Sequence, residues 1–208
     1  FSAWAHQIKT PIASMGLKLQ KEDSALSRRL RGDLNRIEQY VDMAMTYLRL
    51  DAETGDYVFK RQPLEPIVRG AVRKFAGEFI DRKLGLRLEP MENIVLTDEK
   101  WLSFIVEQLL SNALKYTPAG EISIYTQTPD TLVIRDTGIG IAPEDLPRVF
   151  EKGFTGYNGR SDKKASGIGL YLCKRVCDRL GHELSVESEP GKGTAVFLKL
   201  DRQEIGIE

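Results

Sequence analysis

At 208 residues the chain has room for one large domain, or for a medium domain with a smaller helical module, and its 30 Lys and Arg balance 30 Asp and Glu. With no net charge there is no overall field to draw nucleic acid or an anionic membrane surface, so no nucleic-acid partner is expected and electrostatic recognition has to be local. No apolar run approaches the roughly 20 residues that cross a bilayer and no signal peptide is visible; the sequence opens at Phe1 inside a helical pattern, as expected of a soluble piece of something longer.

Phe1, Trp4, Ala5, Ile8, Ile12, Met15 and Leu19 recur at helical spacing, and Leu26, Leu30, Leu34, Ile37, Val41, Ala44, Met45 and Leu48 do so over more turns. The short connector Lys21-Glu22-Asp23-Ser24 predicts an antiparallel helical hairpin with Asp23 or Ser24 capping the second helix. A lone hairpin buries too little apolar surface, so the seam predicts a partner hairpin, most simply a dimeric four-helix bundle made by a homodimer through residues 1–51. His6 falls on the outer face of the first helix. Thr10 lies one turn further on the same face, and Pro11 has no N–H, so the Gln7 carbonyl loses its helical partner and a local kink is expected there. A neutral exposed imidazole in that setting is a candidate nucleophile.

Residues 51–56 break the pattern with turn-forming residues, and Tyr57-Val58-Phe59 reads as a brief strand. Pro63 opens a helix running to about Leu84 with Ile67, Val68, Ala71, Val72, Phe75 and Phe79 inward; strands follow at 86–89 and 94–97. The domains expected are thus 1–51, a linker 52–62, and 63–208. Asp98 is the N-cap expected for a helix over Glu99–Tyr116, whose core face is Leu102, Ile105, Val106, Leu109, Leu110 and Ala113. Gln108, Asn112 and Lys115 form a polar stripe on it, either a solvated face or a binding one.

Strands at 121–127 and 131–135 read as an antiparallel pair, the second opening into Asp136-Thr137-Gly138-Ile139-Gly140. After a polar loop, Gly167-Ile168-Gly169-Leu170 heads a helix ending near Leu180, with Gly181 as its C′ residue. Two glycine turns, one ending a strand and one starting a helix, suggest a phosphate site, since glycines admit close backbone approach and a helix N-terminus carries partial positive charge. Neither turn is a Rossmann or Walker A sequence. His182 reads as structural, Cys173 and Cys177 as buried small apolar residues, and strands at 183–188 and 194–200 close the sheet.

His6-Gln7-Ile8-Lys9-Thr10-Pro11 resembles the phospho-acceptor box (H-E-x-x-T-P) of sensor histidine kinases, and Asn112-Ala113-Leu114-Lys115-Tyr116, Asp136-Thr137-Gly138-Ile139-Gly140, Val149–Phe154 and Gly167–Leu170 resemble that family's N, G1, F and G2 boxes in order. The resemblance implies an α+β protein: the dimeric hairpin followed by an α/β sandwich of the Bergerat (GHKL) ATP-binding fold with a mixed sheet. It implies that His6 accepts the γ-phosphoryl of ATP and passes it to an aspartate on a response regulator receiver domain, and that Thr10 orients water for dephosphorylation. Asn112 would hold Mg2+, Lys115 the phosphates and Tyr116 the edge of the nucleotide, with Gln108 where many relatives have a second Asn and Glu107 acting through water. Asp136 would accept from the adenine amino group, Ile139 and Ile141 would line the adenine pocket, and Thr194 would reach the base. The amides of Gly167, Ile168, Gly169 and Leu170 would hold phosphates, and Lys152, Arg160, Lys163 and Lys164 of a mobile lid are further phosphate candidates. Gln7 stands where the family usually has an acid; such His-Gln pairs point to the subgroup with short sensor regions that works beside peptide-antibiotic transporters. The full-length protein is accordingly expected to be anchored in a bacterial plasma membrane with this part cytoplasmic. Two alternatives stand beside the kinase: a GHKL-type ATPase without transfer, and a degenerate kinase serving as a nucleotide-binding scaffold.

Overall fold

The structure, a computed structural model, describes residues 2–22, 24–51, 57–127, 130–156 and 166–200, with backbone only for 2–6 and 51. It divides into two compact units, Phe1–Gly55 and Asp56–Glu208. The linker residues 52–56 lie outside the described residues.

The first unit consists of α1 (Ser2–Gln20) and α2 (Ala25–Asp51). Ser24 caps α2 reciprocally, its hydroxyl taking the Ser27 N–H and its own N–H going to Ser27 Oγ, both at 3.0 Å; Asp23 is outside the described residues. α1 continues through Pro11 as one helix, and Lys9 pairs with Asp42 of α2 at 2.5 Å. Ile12, Leu34 and Met45 of the expected seam are buried, as is Leu50, whereas Leu26, Leu30, Ile37 and Leu48 remain 66%, 41%, 47% and 36% exposed, so much of the expected α2 seam is uncovered in the single chain.

The second unit runs β1 (Lys60–Pro63), α3 (Leu64–Arg82), β2 (Gly85–Leu88), β3 (Ile94–Thr97), α4 (Glu99–Tyr116), β4 (Glu121–Gln127), β5 (Thr131–Asp136), a 3-10 turn (Leu146–Arg148), α5 (Gly169–Leu180), β6 (Glu183–Glu189) and β7 (Gly193–Lys199). β1 and β3 form a small antiparallel pair; the main sheet has the order β2-β4-β5-β7-β6, with β2 parallel to β4 and the other pairs antiparallel. The fold is therefore α+β with a mixed sheet. Strand alternation builds its two layers: the cross-strand row Leu88, Ile124, Ile134, Val196, Val186 faces the helices, with Ile124 and Ile134 fully buried, while Ser123, Arg135 and Glu187 take the other face. α4 packs on β5 and α5 on β6, and α4 also touches α3 and α5.

Tyr57–Phe59 is not a strand; the strand begins at Lys60. The reason is Asp98. Its Oδ1 caps α4 by accepting from the N–H groups of Lys100 (3.0 Å) and Trp101 (3.2 Å), and its Oδ2 takes the Val58 N–H at 2.8 Å, so that donor is satisfied by a side chain rather than by a ladder. The Tyr57 ring then packs on Trp101 at 5.4 Å.

α3 stops at Arg82, two residues short of the expected Leu84, because Lys83 turns left-handed at φ 53°. Arg82 donates across to the carbonyls of Leu114 and of Thr117, the latter at 2.7 Å, covering acceptors that the end of α4 leaves open. Arg82→Met is expected to lower stability by about 1.5–3 kcal/mol, the loss of charge-assisted bonds to partly buried carbonyls, readable as a fall in the urea midpoint; an unchanged midpoint would refute that role.

Candidate active site

At the end of the main sheet the cross-strand row Ile122, Asp136, Thr194, Ser188 lies on the helix-facing side. Asp136, 6% exposed, is its one charge. Its Oδ1 accepts from the N–H groups of Gly138 at 2.8 Å and Thr194 at 3.3 Å. Burial raises its carboxyl above the ordinary 3.8, opposed by those two amides and by the nearby Thr117 hydroxyl, which also reaches the Ala113 carbonyl at 2.7 Å. Both backbone donors thus fall on one carboxylate oxygen, Oδ1.

The turn after Asp136 is clamped on two sides. Ile139 donates to the Tyr116 carbonyl at the end of α4 (3.1 Å) and accepts from Gly191 N–H (2.8 Å), while the Ile141 N–H meets Ser188 Oγ at 2.8 Å. A Cβ on Gly138 would sit 2.2 Å from the Tyr116 carbonyl oxygen, and one on Gly140, at φ +71°, 2.1 Å from that of Glu189. The glycines are thus required by the chain's own backbone. Ile139 stays 39% exposed beside the buried carboxylate, an apolar surface left open, and Ile141 is half-buried.

On α4, Asn112, Lys115 and Tyr116 are half-buried, with the Lys115 ammonium 4.9 Å over the Tyr116 ring. Gln108 is only 7% exposed, so the stripe is not one solvated face. Glu107 is ion-paired to Lys74 of α3 at 2.7 Å.

Gly167 and Ile168 precede α5, which starts at Gly169 with no side-chain cap from Ile168, and the Ile168 N–H itself goes to Ser166 Oγ at 3.4 Å. A Cβ on Gly167 (φ +65°) would lie 2.5 Å from the Gly153 carbonyl carbon, and Gly153 N–H donates to the Gly167 carbonyl at 2.9 Å, joining the turn that bears Lys152 to the head of α5. Lys152 is exposed; Arg160, Lys163 and Lys164 lie outside the described residues.

Among the described residues no group of three or more His, Cys, Asp and Glu could hold a metal. His6, Gln7 and Thr10 belong to the first unit: Gln7 and Thr10 are exposed on α1, and the His6 side chain is outside the described residues. His182 is buried and bonded through Nε2 to Thr97 Oγ1 at 2.9 Å, as a structural histidine, and Cys173 and Cys177 are buried free thiols pushed up by burial, Cys177 to about 12. Thr117 and Ser188 were not legible as site residues: a lone hydroxyl at an element end carries no motif, and only the register brings Ser188 beside Thr194.

The Histidine kinase-, DNA gyrase B-, and HSP90-like ATPase family matches residues 97–204. The chain is 38% identical to the sensor protein BceS of Halalkalibacterium halodurans, over 97% of this chain and 61% of that relative, and 36% identical to the sensor protein kinase GraS of Staphylococcus aureus, over 99% and 61%. It therefore spans about 61% of the length of the curated relatives it matches. Among solved structures, the Acinetobacter baumannii histidine kinase AdeS superposes with a TM-score of 0.64 at 19% identity, covering 96% of this chain and 98% of that one. Full-length ShkA in complex with AMPPNP gives 0.63 at 21%, covering 96% and 44%; at these identities both speak for the fold alone. No helix among the described residues is long and apolar enough to cross a membrane. The match from Thr97 onward, covering more than half of the chain and including the Asp136 turn, the end of α4 and the head of α5, shows that the protein belongs to the histidine kinase-, DNA gyrase B- and HSP90-like ATPase family.

Proposed function

We propose that this chain is the catalytic core of a sensor histidine kinase, in which residues 63–208 bind ATP and His6 on the hairpin 1–51 accepts its γ-phosphoryl group. The observation that carries the ATP reading is Asp136: a buried carboxylate, held on one oxygen by backbone amides, next to the open apolar side chain of Ile139. An ionised carboxylate there accepts from the amino group of adenine and repels the carbonyl that guanine carries at the same place. Ile139 and Ile141 flank the base, Tyr116 its edge, and Thr194 completes the floor. Lys115, the amides from Gly167 to Leu170 at the head of α5 and exposed Lys152 meet the phosphates. Asn112 contributes an amide oxygen toward Mg2+, which supplies charge neutralisation when bound with the triphosphate; Gln108 supports that helix face from a buried position.

In transfer, an imidazole nitrogen of His6 forms a bond to the γ-phosphorus as the bridge to the β-phosphate breaks; ADP leaves with the electron pair and the ring proton passes to solvent. Gln7 can fix the ring's tautomer through its amide oxygen without adding charge. The phosphoryl then moves to an aspartate of a receiver domain, and Thr10 orients water in the separate phosphatase reaction, which hydrolyses that aspartyl phosphate to inorganic phosphate. The kinase is favoured over an ATPase without transfer because such an ATPase leaves the histidine box without a role. Its direct test is incubation with γ-labelled ATP: an acid-labile, base-stable label on the chain is expected, and steady phosphate release with no label would sink it.

The dimer belongs to the same proposal. Leu26, Leu30, Ile37 and Leu48 on α2 form an exposed apolar stripe that a second hairpin would cover. Ile37→Glu is expected to weaken self-association by about 100-fold, since it places an unpaired charge in an apolar seam; an unaltered sedimentation profile would argue against this interface. The full-length protein would be membrane-anchored with this part in the cytoplasm, beside a peptide-antibiotic transporter, a reading that rests on the His6-Gln7 pair.

A further inference from the structure

Ser188, on the β6 strand, makes three hydrogen bonds with one hydroxyl. Its Oγ accepts from the Ile141 N–H at 2.8 Å, faces the Gly193 carbonyl at 2.8 Å, and lies 2.9 Å from Thr194 Oγ1. A hydroxyl has one hydrogen and two lone pairs, so all three contacts are satisfied together in one way only. Ser188 gives its proton to the Gly193 carbonyl, which can only accept, and takes hydrogens from Ile141 N–H and from Thr194. The Thr194 hydroxyl is thereby committed as a donor to Ser188 and presents only lone pairs to anything beside Asp136, whose Oδ1 already holds the Thr194 N–H at 3.3 Å.

We infer that Ser188 is a specificity-determining positioning residue: by holding the Thr194 proton it makes the floor next to Asp136 an acceptor-only surface, matched to a base edge carrying an amino group and mismatched to one carrying a carbonyl. The inference rests on the proposed adenine site. Ser188 itself acts through Thr194 and through the Ile141 amide, which it fixes at the exit of the Asp136 turn. Removing its hydroxyl frees the Thr194 proton to turn outward, where it can donate to a carbonyl.

The experiment compares binding of ATP and of inosine triphosphate, which differs at the base edge by a carbonyl and a ring N–H in place of the amino group and ring nitrogen, to the 208-residue chain by isothermal titration. Ser188→Ala is expected to weaken ATP while leaving inosine triphosphate level or tighter, so that the preference for ATP shrinks by about tenfold. Ser188→Thr, which keeps a hydroxyl on the same carbon, is expected to restore the preference. If Ser188→Ala does not fold, Ser188→Cys takes its place with the same expected direction, because a thiol is a weaker acceptor. Equal weakening of both nucleotides, or an unchanged ratio, would overturn the role of Ser188 while leaving the adenine site standing. Wild-type chain that binds neither nucleotide, or both alike, would overturn the adenine reading and this inference with it.

Discussion

His6→Gln is expected to abolish phosphoryl labelling completely while leaving ATP affinity within about twofold of the wild type. The two readouts separate because they fall on different parts of the chain: His6 lies on α1 in the unit Phe1–Gly55, whereas every residue assigned to the nucleotide lies in Asp56–Glu208. Gln retains a polar side chain of similar reach and helix propensity, so α1 persists, but its amide nitrogen is not a nucleophile and cannot form the acid-labile nitrogen–phosphorus bond. Filter-bound label after incubation with γ-labelled ATP, beside a calorimetric titration of the same sample, measures both. Label persisting on the variant would move the acceptor elsewhere, and loss of ATP binding would mean that the substitution had disturbed the fold.

Asp136→Asn is expected to weaken ATP binding by about 100-fold, roughly 3 kcal/mol, because the amide can turn an N–H₂ toward the amino group of adenine and set donor against donor. Its effect on the nucleotide-free protein has the opposite sign. The Asp136 carboxyl titrates above its ordinary 3.8 because burial disfavours the charge, so folding favours the proton-bound form. That contribution to stability is fully present below 3.8 and is lost as pH rises through the raised folded-state value. At pH 8 the carboxylate is a cost that Asn does not carry, while the Asn oxygen can still accept from Gly138 and Thr194. Without nucleotide the variant should therefore melt at or above the wild type at pH 8, with the difference closing on acidification. Wild-type ATP affinity should fall as pH drops through the same raised value, and the variant's should show no such step. A variant that binds ATP within threefold of wild type, or melts well below it at pH 8, would remove Asp136 from the centre of the site.

Helices and strands were legible where periodicity and end signals agreed. α4 begins after Asp98 and ends at Tyr116 as expected, since the cap, the apolar face and Pro118 all point to the same limits. Tyr57–Phe59 was misread because β-prone aromatic residues in a short run carry no information about which partner will take their amides, and here Asp98, 40 residues away, takes that of Val58. The residues proposed to face the nucleotide that sit in motifs, Asn112, Lys115 and Asp136, stand out locally. Ser188 and Arg82 do not, since their roles arise from register and from helix packing across 47 and 32 residues. Gln108 read as ambiguous because a polar residue in a polar stripe looks the same whether solvent or protein lies against it; its burial decides that it is not a surface position.

The backbone contacts around the glycines bear on how such a chain can change over time. The atoms a Cβ would strike at Gly138, Gly140, Gly167 and Gly193 include the backbone of Tyr116, Glu189, Gly153 and Asp136, and no rotamer change can move a backbone aside. Selection on folding alone would then hold these four positions, whether or not a nucleotide is ever bound. A descendant that lost its chemistry would keep the glycine pattern and drift first at Asp136, Asn112 and His6. The glycines are a signature of the fold, and a surviving acid beside them is what distinguishes a working site from an inherited shape.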